Sequence, residues 1–431
     1  MSTRPFDLVL YGATGFVGRR AAAYLATRRL RRKLRWAIAG RDPAKLAALR
    51  DEISRDKGTL QPPGIVLADS GDVAAVEAMA ASTRVLITTA GPFALYGDAI
   101  VDACAQHRTH YADITGETTW VRRVIDRLHA RAARDGTRIV PFCGFDSVPS
   151  DLGALLLARY IESEYSAPCV EVRGYFRMMG GFNGGTLATN AHRFEAGEVE
   201  TGRDPFLLNP RSRHSASELV ANQDVRTPHY DEAVGGWVAP FIMGSINTRV
   251  VRRSAALNAA YGTPYGPHFS YQEYMRMGGS LAGAKAVAFT VGLRTFERVM
   301  EHRSARTVLG AMLPRPGEGP SEEAMARGWF KTDLVGRTAD GRSAWARIGY
   351  DGDPGNRATL RILCEGGLAL AFDGAKLPGG PKRGGVLTPA TAIGETLVPR
   401  LRAAGFEISV GREPIAGRRR QDTSRASAPI T

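Results

Sequence analysis

A short apolar run, Asp7-Leu8-Val9-Leu10-Tyr11, breaks at once into Gly12-Ala13-Thr14-Gly15-Phe16-Val17-Gly18, after which Val17, Ala21 and Leu25 recur at helical spacing. Strand, glycine turn and helix in that order constrain the fold more than any other feature. Gly12 lets the chain turn tightly out of the strand, Gly15 lets a ligand approach the backbone, and Gly18 lets the helix pack closely on the sheet. The helix start adds unpaired N–H groups and a partial positive charge, which suit a diphosphate. The spacing is GxxGxxG rather than GxGxxG, and residues Gly12–Gly18 read as the phosphate turn of a dinucleotide-binding domain.

The next segments extend the pattern. Trp36-Ala37-Ile38-Ala39 is a second strand ending at Gly40-Arg41. A site for the unphosphorylated nicotinamide cofactor usually carries Asp or Glu here for the ribose hydroxyl. Arg41, with Lys45 one helical turn on, instead suits the 2′-phosphate of NADP(H), which a guanidinium grips with paired hydrogen bonds. A solvated arginine after a strand is the alternative. Strands are expected at 64–69, 84–89, 109–113 and 138–141, and helices at 72–81, 96–107 and 117–134. Repeated strand–helix units imply an α/β fold with a doubly wound parallel sheet, a Rossmann domain. Ligands bind such sheets at the carboxyl ends of the strands, so Gly91–Gly97, Asp113–Glu117 and Cys143–Asp151 border the expected cleft, with Ala90, Gly91 and Pro92 beside the cofactor.

Composition narrows the class. The chain has 431 residues, enough for two or three domains, and a formal charge of +14. The basic run at 28–33 reads as a solvated helix end and loop, and the one at 418–420 as part of a disordered tail. No zinc finger, RNP motif or aromatic–basic stripe accompanies them, so no specific nucleic-acid partner is expected. Cys104, Cys143, Cys169 and Cys364 lack paired spacing, which fits a reducing, cytoplasmic setting and no metal site. The opening MSTRPFDLVLYGATG does not read as a signal peptide.

The strings YGATGFVG, AGR, TTAGPFALYG, YADITGE and PFCGFDSVPSDLG, in that order, resemble those of the saccharopine dehydrogenase-like oxidoreductases. Within that group the chain is most similar to the trans-acting enoyl reductases of mycobacterial polyketide-lipid synthesis. Asn247–Ser254, Pro314–Pro320 and Gly385–Ala390 extend the likeness to about residue 411. The resemblance implies a Rossmann domain over 1–150, an α+β substrate or dimerisation domain over 151–385, and a C-terminal helix and strand over 386–411 packing on the Rossmann domain. Residues 412–431 form the basic tail. It also implies NADP(H)-dependent reduction of an acyl carbon–carbon double bond, with the acyl chain carried by a polyketide synthase.

Such a reduction needs a hydrogen-bond donor for an enolate oxygen and a proton for carbon. Tyr96 and Tyr111 are the candidate donors, and Asp113 and Glu117 the candidate orienting carboxylates. Satisfied buried phenols and a helix cap are the competing readings. Asp146, Ser147 and Asp151 share a Gly/Pro-bounded loop; Asp151 reads as a cap of the next helix, and Ser147 lacks a GxSxG frame. No Tyr-x-x-x-Lys pair occurs, which argues against a short-chain dehydrogenase.

Gly180–Thr186 reads as a loop, and isolated His192 and His268 give no metal spacing. Residues 276–300 are too short and charged to span a bilayer but could lie on a membrane or form an acyl lip, Arg294, Arg298 and Arg303 facing headgroups. An ordinary packed helix and a homodimer also remain open. Two rival functions remain. One is a saccharopine-type amino-acid dehydrogenase using Arg249, Arg252 and Arg253 for substrate carboxylates. The other is a lipid- or membrane-associated nucleotide-binding scaffold without turnover.

Overall fold

The structure is a computed structural model that describes residues 4–181, 201–212, 214–302 and 317–414. The strand–helix alternation is realised as β1 (Phe6–Tyr11), α1 (Phe16–Thr27), β2 (Trp36–Gly40), α2 (Pro43–Arg55), β3 (Gly64–Leu67), α3 (Val73–Ser82) and β4 (Thr83–Thr88). It continues through α4 (Phe93–Tyr96), α5 (Asp98–Gln106), β5 (His110–Asp113), α6 (Thr118–Asp135) and β6 (Arg138–Val140). These strands, with β13 (Gly385–Val386), make a wholly parallel sheet of order β13-β6-β5-β4-β1-β2-β3. Its strands are buried on both faces: Leu8 and Leu10 point into one core, Val9 and Tyr11 into the other.

The middle of the chain builds a second sheet. After α7 (Val148–Tyr165) come β7 (Cys169–Met179), α8 (Ala216–Ala221), β8 (His229–Asp231), β9 (Gly236–Pro240), α9 (Gly244–Ala260), β10 (Ser270–Arg276) and α10 (Ala282–Glu301). Then follow α11 (Glu322–Arg327), β11 (Trp329–Thr338), β12 (Ser343–Tyr350) and α12 (Thr359–Phe372). With β14 (Glu407–Gly411) at one edge, the sheet runs β14-β12-β11-β7-β10-β9-β8, antiparallel except for the β7–β10 pair. Helix α7 lies along β11 and β12, and one apolar core runs continuously from Leu8 and Val85 of the first sheet to Leu334 and Ile348 of the second.

The C-terminal part departs from expectation. The single helix expected within 386–411 is two short helices, α13 (Pro389–Ala392) and α14 (Leu397–Ala403), broken where Gly394 takes φ +59. β14 (Glu407–Gly411) does not join the first domain; it pairs antiparallel with β12 in the second sheet. The first domain instead recruits α12, which packs on α1, β1, β4 and β5. That return is fixed by Glu365 of α12, fully buried, which accepts from the Tyr24 hydroxyl at 2.7 Å and pairs with Arg28 at 2.7 Å and Arg400 at 3.2 Å. Arg28 is thus tied inward, unlike the exposed Arg31, Arg32 and Lys33 beside it. Glu365→Gln takes the carboxylate from the largely buried Arg28 guanidinium and leaves Arg400 with Asp373 alone, at 2.6 Å, and chemical denaturation should show a loss of about 3 kcal/mol.

Candidate active site at the carboxyl edge of the parallel sheet

In this strand order the direction of winding reverses between β1 and β4, and the turns leaving those strands lie where sheets of this topology bind their ligands, in a crevice at the carboxyl edge. Gly12 has φ +76, and a Cβ there would lie 3.0 Å from Ala90 Cβ. A Cβ on Gly18 would lie 2.2 Å from the Gly12 carbonyl oxygen, so only glycine lets α1 start against the turn. Gly15 caps α1 with no side chain, which leaves the first-turn N–H groups of Phe16 and Val17 open. The Thr89 hydroxyl donates to the Gly12 carbonyl at 3.2 Å, tying the Ala90-Gly91-Pro92 segment to the turn that carries Ala13 and Thr14.

Arg41 follows β2 directly, exposed, and makes no hydrogen bond or ion pair with any described residue. Asp42 caps α2 by accepting from the Lys45 N–H at 3.0 Å and also holds the Lys45 ammonium at 3.5 Å. Of the two cations, only Arg41 is without a partner among the described residues. A glycine cradle with no room for a Cβ, an uncapped helix start and an unpaired guanidinium fit NADP(H).

The second domain reaches this turn. A Cβ on Gly319 would lie 2.6 Å from the Phe16 ring, the Arg20 guanidinium stacks 3.9 Å above that ring, and Arg20 pairs with Glu322 at 2.7 Å.

The four expected catalytic residues separate. Tyr96 lies on α4, 45% exposed. Tyr111 is fully buried under the sheet, and its hydroxyl donates to Asp113 at 2.8 Å. The same carboxyl accepts the N–H groups of Thr115 at 3.0 Å and Phe142 at 3.2 Å. Burial nevertheless pushes it up to about 7. Glu117 is buried too and accepts the N–H groups of Phe93 at 2.7 Å and Ala94 at 2.8 Å, satisfying the start of α4. Tyr111, Asp113 and Glu117 thus fasten neighbouring loops to one another, enclosed and bonded within the protein, and of the four expected residues only Tyr96 is exposed.

Other expectations shift similarly. Asp151 bonds the Ser254 hydroxyl and the Ala390 N–H at 2.8 Å, so it anchors the returning C-terminal segment and does not cap its own helix. Ser147 donates to Asn247 at 3.1 Å. Arg249 pairs with Asp224 and donates to the carbonyls of Gly202, Arg203 and Asp204. Arg252 bonds the carbonyls of Pro205 and Tyr271, and Arg253 those of Leu208 and Val386. These buried arginines are spent on the protein's own backbone.

Asp146, given no role by sequence, stands on the same edge without a partner among the described residues. Only its place after a strand, between Gly144 and Pro149, signalled it. His192, Arg303 and most of Gly180–Thr186 lie outside the described residues. Among the described residues no metal-binding cluster occurs, no helix is long and apolar enough to cross a membrane, and all four cysteines are free and buried.

Fold and crevice together define an NADP-dependent oxidoreductase with a Rossmann domain and a second mixed-sheet domain. Residues 8–140 match the saccharopine dehydrogenase NADP-binding domain family. A Mycobacterium tuberculosis protein named as a trans-acting enoyl reductase is 38% identical over 423 residues, covering 95% of this chain and 98% of that one. A trans-acting enoyl reductase of Mycobacterium ulcerans is 36% identical over 430 residues with the same coverage. Among solved structures, homospermidine synthase from Legionella pneumophila in complex with NAD shares the fold, with a TM-score of 0.52 at 10% identity over 96% of this chain and 92% of that one. The chain belongs to the trans-acting enoyl reductase family of saccharopine dehydrogenase-like proteins.

Arg41→Glu should weaken NADPH by about 100-fold, from the loss of a charge-assisted pair, and leave NADH almost unaffected in fluorescence titrations. Stability should also depend on pH. Burial raises Asp113 and Asp151 to about 7 and Glu273 to about 8. The unfolded chain ionises such groups near pH ~4, so the folded state binds more protons between that pH and theirs, and stability falls as pH rises. The unfolding temperature should be higher near pH ~5 than near pH ~9.

Proposed function

We propose that the protein reduces the double bond of an α,β-unsaturated acyl thioester with NADPH, the acyl chain being presented by a polyketide synthase. The observation that carries this is the end-to-end similarity to relatives named trans-acting enoyl reductases. The commitment of Arg249, Arg252 and Arg253 to backbone carbonyls supports it from the other side, since an amino-acid dehydrogenase would need such cations for substrate carboxylates.

In this reading Gly12–Gly18 and the start of α1 hold the diphosphate, Arg41 holds the 2′-phosphate, and Ala90–Pro92 flank the nicotinamide half. The bound cofactor supplies the hydride. The chain supplies position and polarity. Tyr96, the one phenol of the four expected residues that faces solvent, donates a hydrogen bond to the thioester carbonyl, where negative charge develops. The outward face of α10, with Val287, Val291, Phe296 and Val299 exposed beside Arg294 and Arg298, gives the lipid end of the substrate a surface.

The test is NADPH oxidation against enoyl, keto and imine substrates. Enoyl thioesters should be the substrates consumed, and a preference for imines would favour the amino-acid reading. Steady consumption of any of them removes the inert scaffold. Tyr96→Phe should lower kcat by about 100-fold with NADPH affinity intact, whereas Tyr111→Phe should keep its rate.

A further inference from the structure

An ionised carboxyl buried without a partner is costly, and folds normally pair it or neutralise it. The other carboxyls around the crevice obey this rule. Asp113 has three donors, Glu117 two backbone N–H groups, and Asp151 a hydroxyl and an N–H. Glu273 accepts from Asn247 and Ser150, each at 3.0 Å. Asp146 is the exception. Its side chain is partly buried and makes no hydrogen bond or ion pair with any described residue.

The loop that carries it is not slack. Asp113 accepts the N–H groups of Phe142, through its carboxyl at 3.2 Å, and Cys143, through its carbonyl at 2.7 Å. The Phe145 N–H donates to Thr359 at 3.1 Å, and Ser147 is held by Asn247 at 3.1 Å. Phe145 and Ser147, on either side of Asp146, are both buried. A rigid loop between β6 and α7 therefore holds up one unpaired carboxyl at the edge where sheets of this topology bind their ligands.

We propose that Asp146 is the acid of the reduction, giving its proton to the substrate carbon next to the carbonyl. The proposal rests on the enoyl-reductase reading above. Hydride addition makes the new C–H bond at the β-carbon and moves the π pair of the double bond onto the carbonyl as an enolate. The enolate pair then takes the Asp146 proton to form the second C–H bond, and the O–H pair stays on the carboxylate. NADPH is oxidised, the double bond is reduced, and water returns a proton to Asp146.

Burial alone raises this carboxyl to about 6, near enough to neutrality to give and regain a proton. The charged groups on the surrounding elements are otherwise engaged. Asp113 and Glu117 hold loops, Asp151 holds the C-terminal segment, and Glu273 is bonded behind Asn247. Asp353 accepts from Gly181 at 2.8 Å, Arg357 pairs with Glu322 at 2.9 Å, and Arg249 pairs with Asp224. None of them acts on Asp146, so the proton-donating form is lost as pH rises past its own value.

The test compares wild type, Asp146→Asn and Asp146→Glu as full chains. Three quantities are measured: NADPH affinity by fluorescence, unfolding temperature at acidic and alkaline pH, and the pH–rate profile on an enoyl thioester. Asp146→Asn should leave NADPH affinity unchanged, lower kcat by about 100-fold or more, and abolish the fall in rate above pH ~6. It should also raise the unfolding temperature at alkaline pH, because an uncompensated charge is removed. Asp146→Glu should recover part of the rate. An Asn variant that keeps both rate and pH limb overturns the proposal, as does one that unfolds earlier at alkaline pH, which would mark the side chain as structural. If wild type consumes only keto or imine substrates, the enoyl reading fails. The same Asp146-dependent limb on those substrates would then keep the residue as the acid of a different reduction, and its absence would remove that role too.

Discussion

Backbone N–H groups left unpaired where strands end and helices begin must find acceptors once water is excluded, and in this protein buried carboxylates meet that demand. Glu117 takes the first N–H groups of α4, and Asp113 takes those of Thr115 and Phe142. Thr89 ties the β4 loop to the glycine turn. The loops after β1, β4, β5 and β6 are thereby joined in series. The crevice depends on that series, because groups on separate loops can act together only when their spacing is fixed beforehand.

The second domain is part of the same construction. One core passes through both sheets, so the domains share packing and are not merely tethered. Helix α9 turns a polar face inward, and its arginines grip the carbonyls of residues 202–208, holding irregular chain that no sheet supports. Near the glycine turn, the stacking of Arg20 on Phe16 and its pairing with Glu322 bring second-domain chain against the start of α1. The glycine turn and the second domain meet at that contact.

Much of the first domain was legible because its signals are local. Short continuous apolar runs gave the strands to within one or two residues, and three glycines at a strand end gave the phosphate turn. The catalytic roles were less legible, because they depend on which long-range partner each side chain finds. Tyr111 and Asp113 are two apart on one strand and so share a face, a clue to their pairing that lay in the spacing itself. The partners of Glu117 lie more than twenty residues upstream, and nothing local discloses them. Arg249, Arg252 and Arg253 sit at helical spacing, which suited a substrate pocket equally well until their acceptors were seen to be backbone carbonyls. The same limit hid the place of β14, whose composition suits either sheet.

The recruitment of α12 and β13 into the first domain bears on how the molecule is made. Their seats lie against α1, β1, β4, β5 and β6, all drawn from the first third of the chain. During vectorial synthesis that third emerges long before the pieces that cover it, leaving one face of the parallel sheet and the outer side of β6 bare to the solvent and to chaperones. The nucleotide fold is therefore completed only after residues 359–386 have been made, and a product cut short before them would carry the phosphate turn on an unfinished domain.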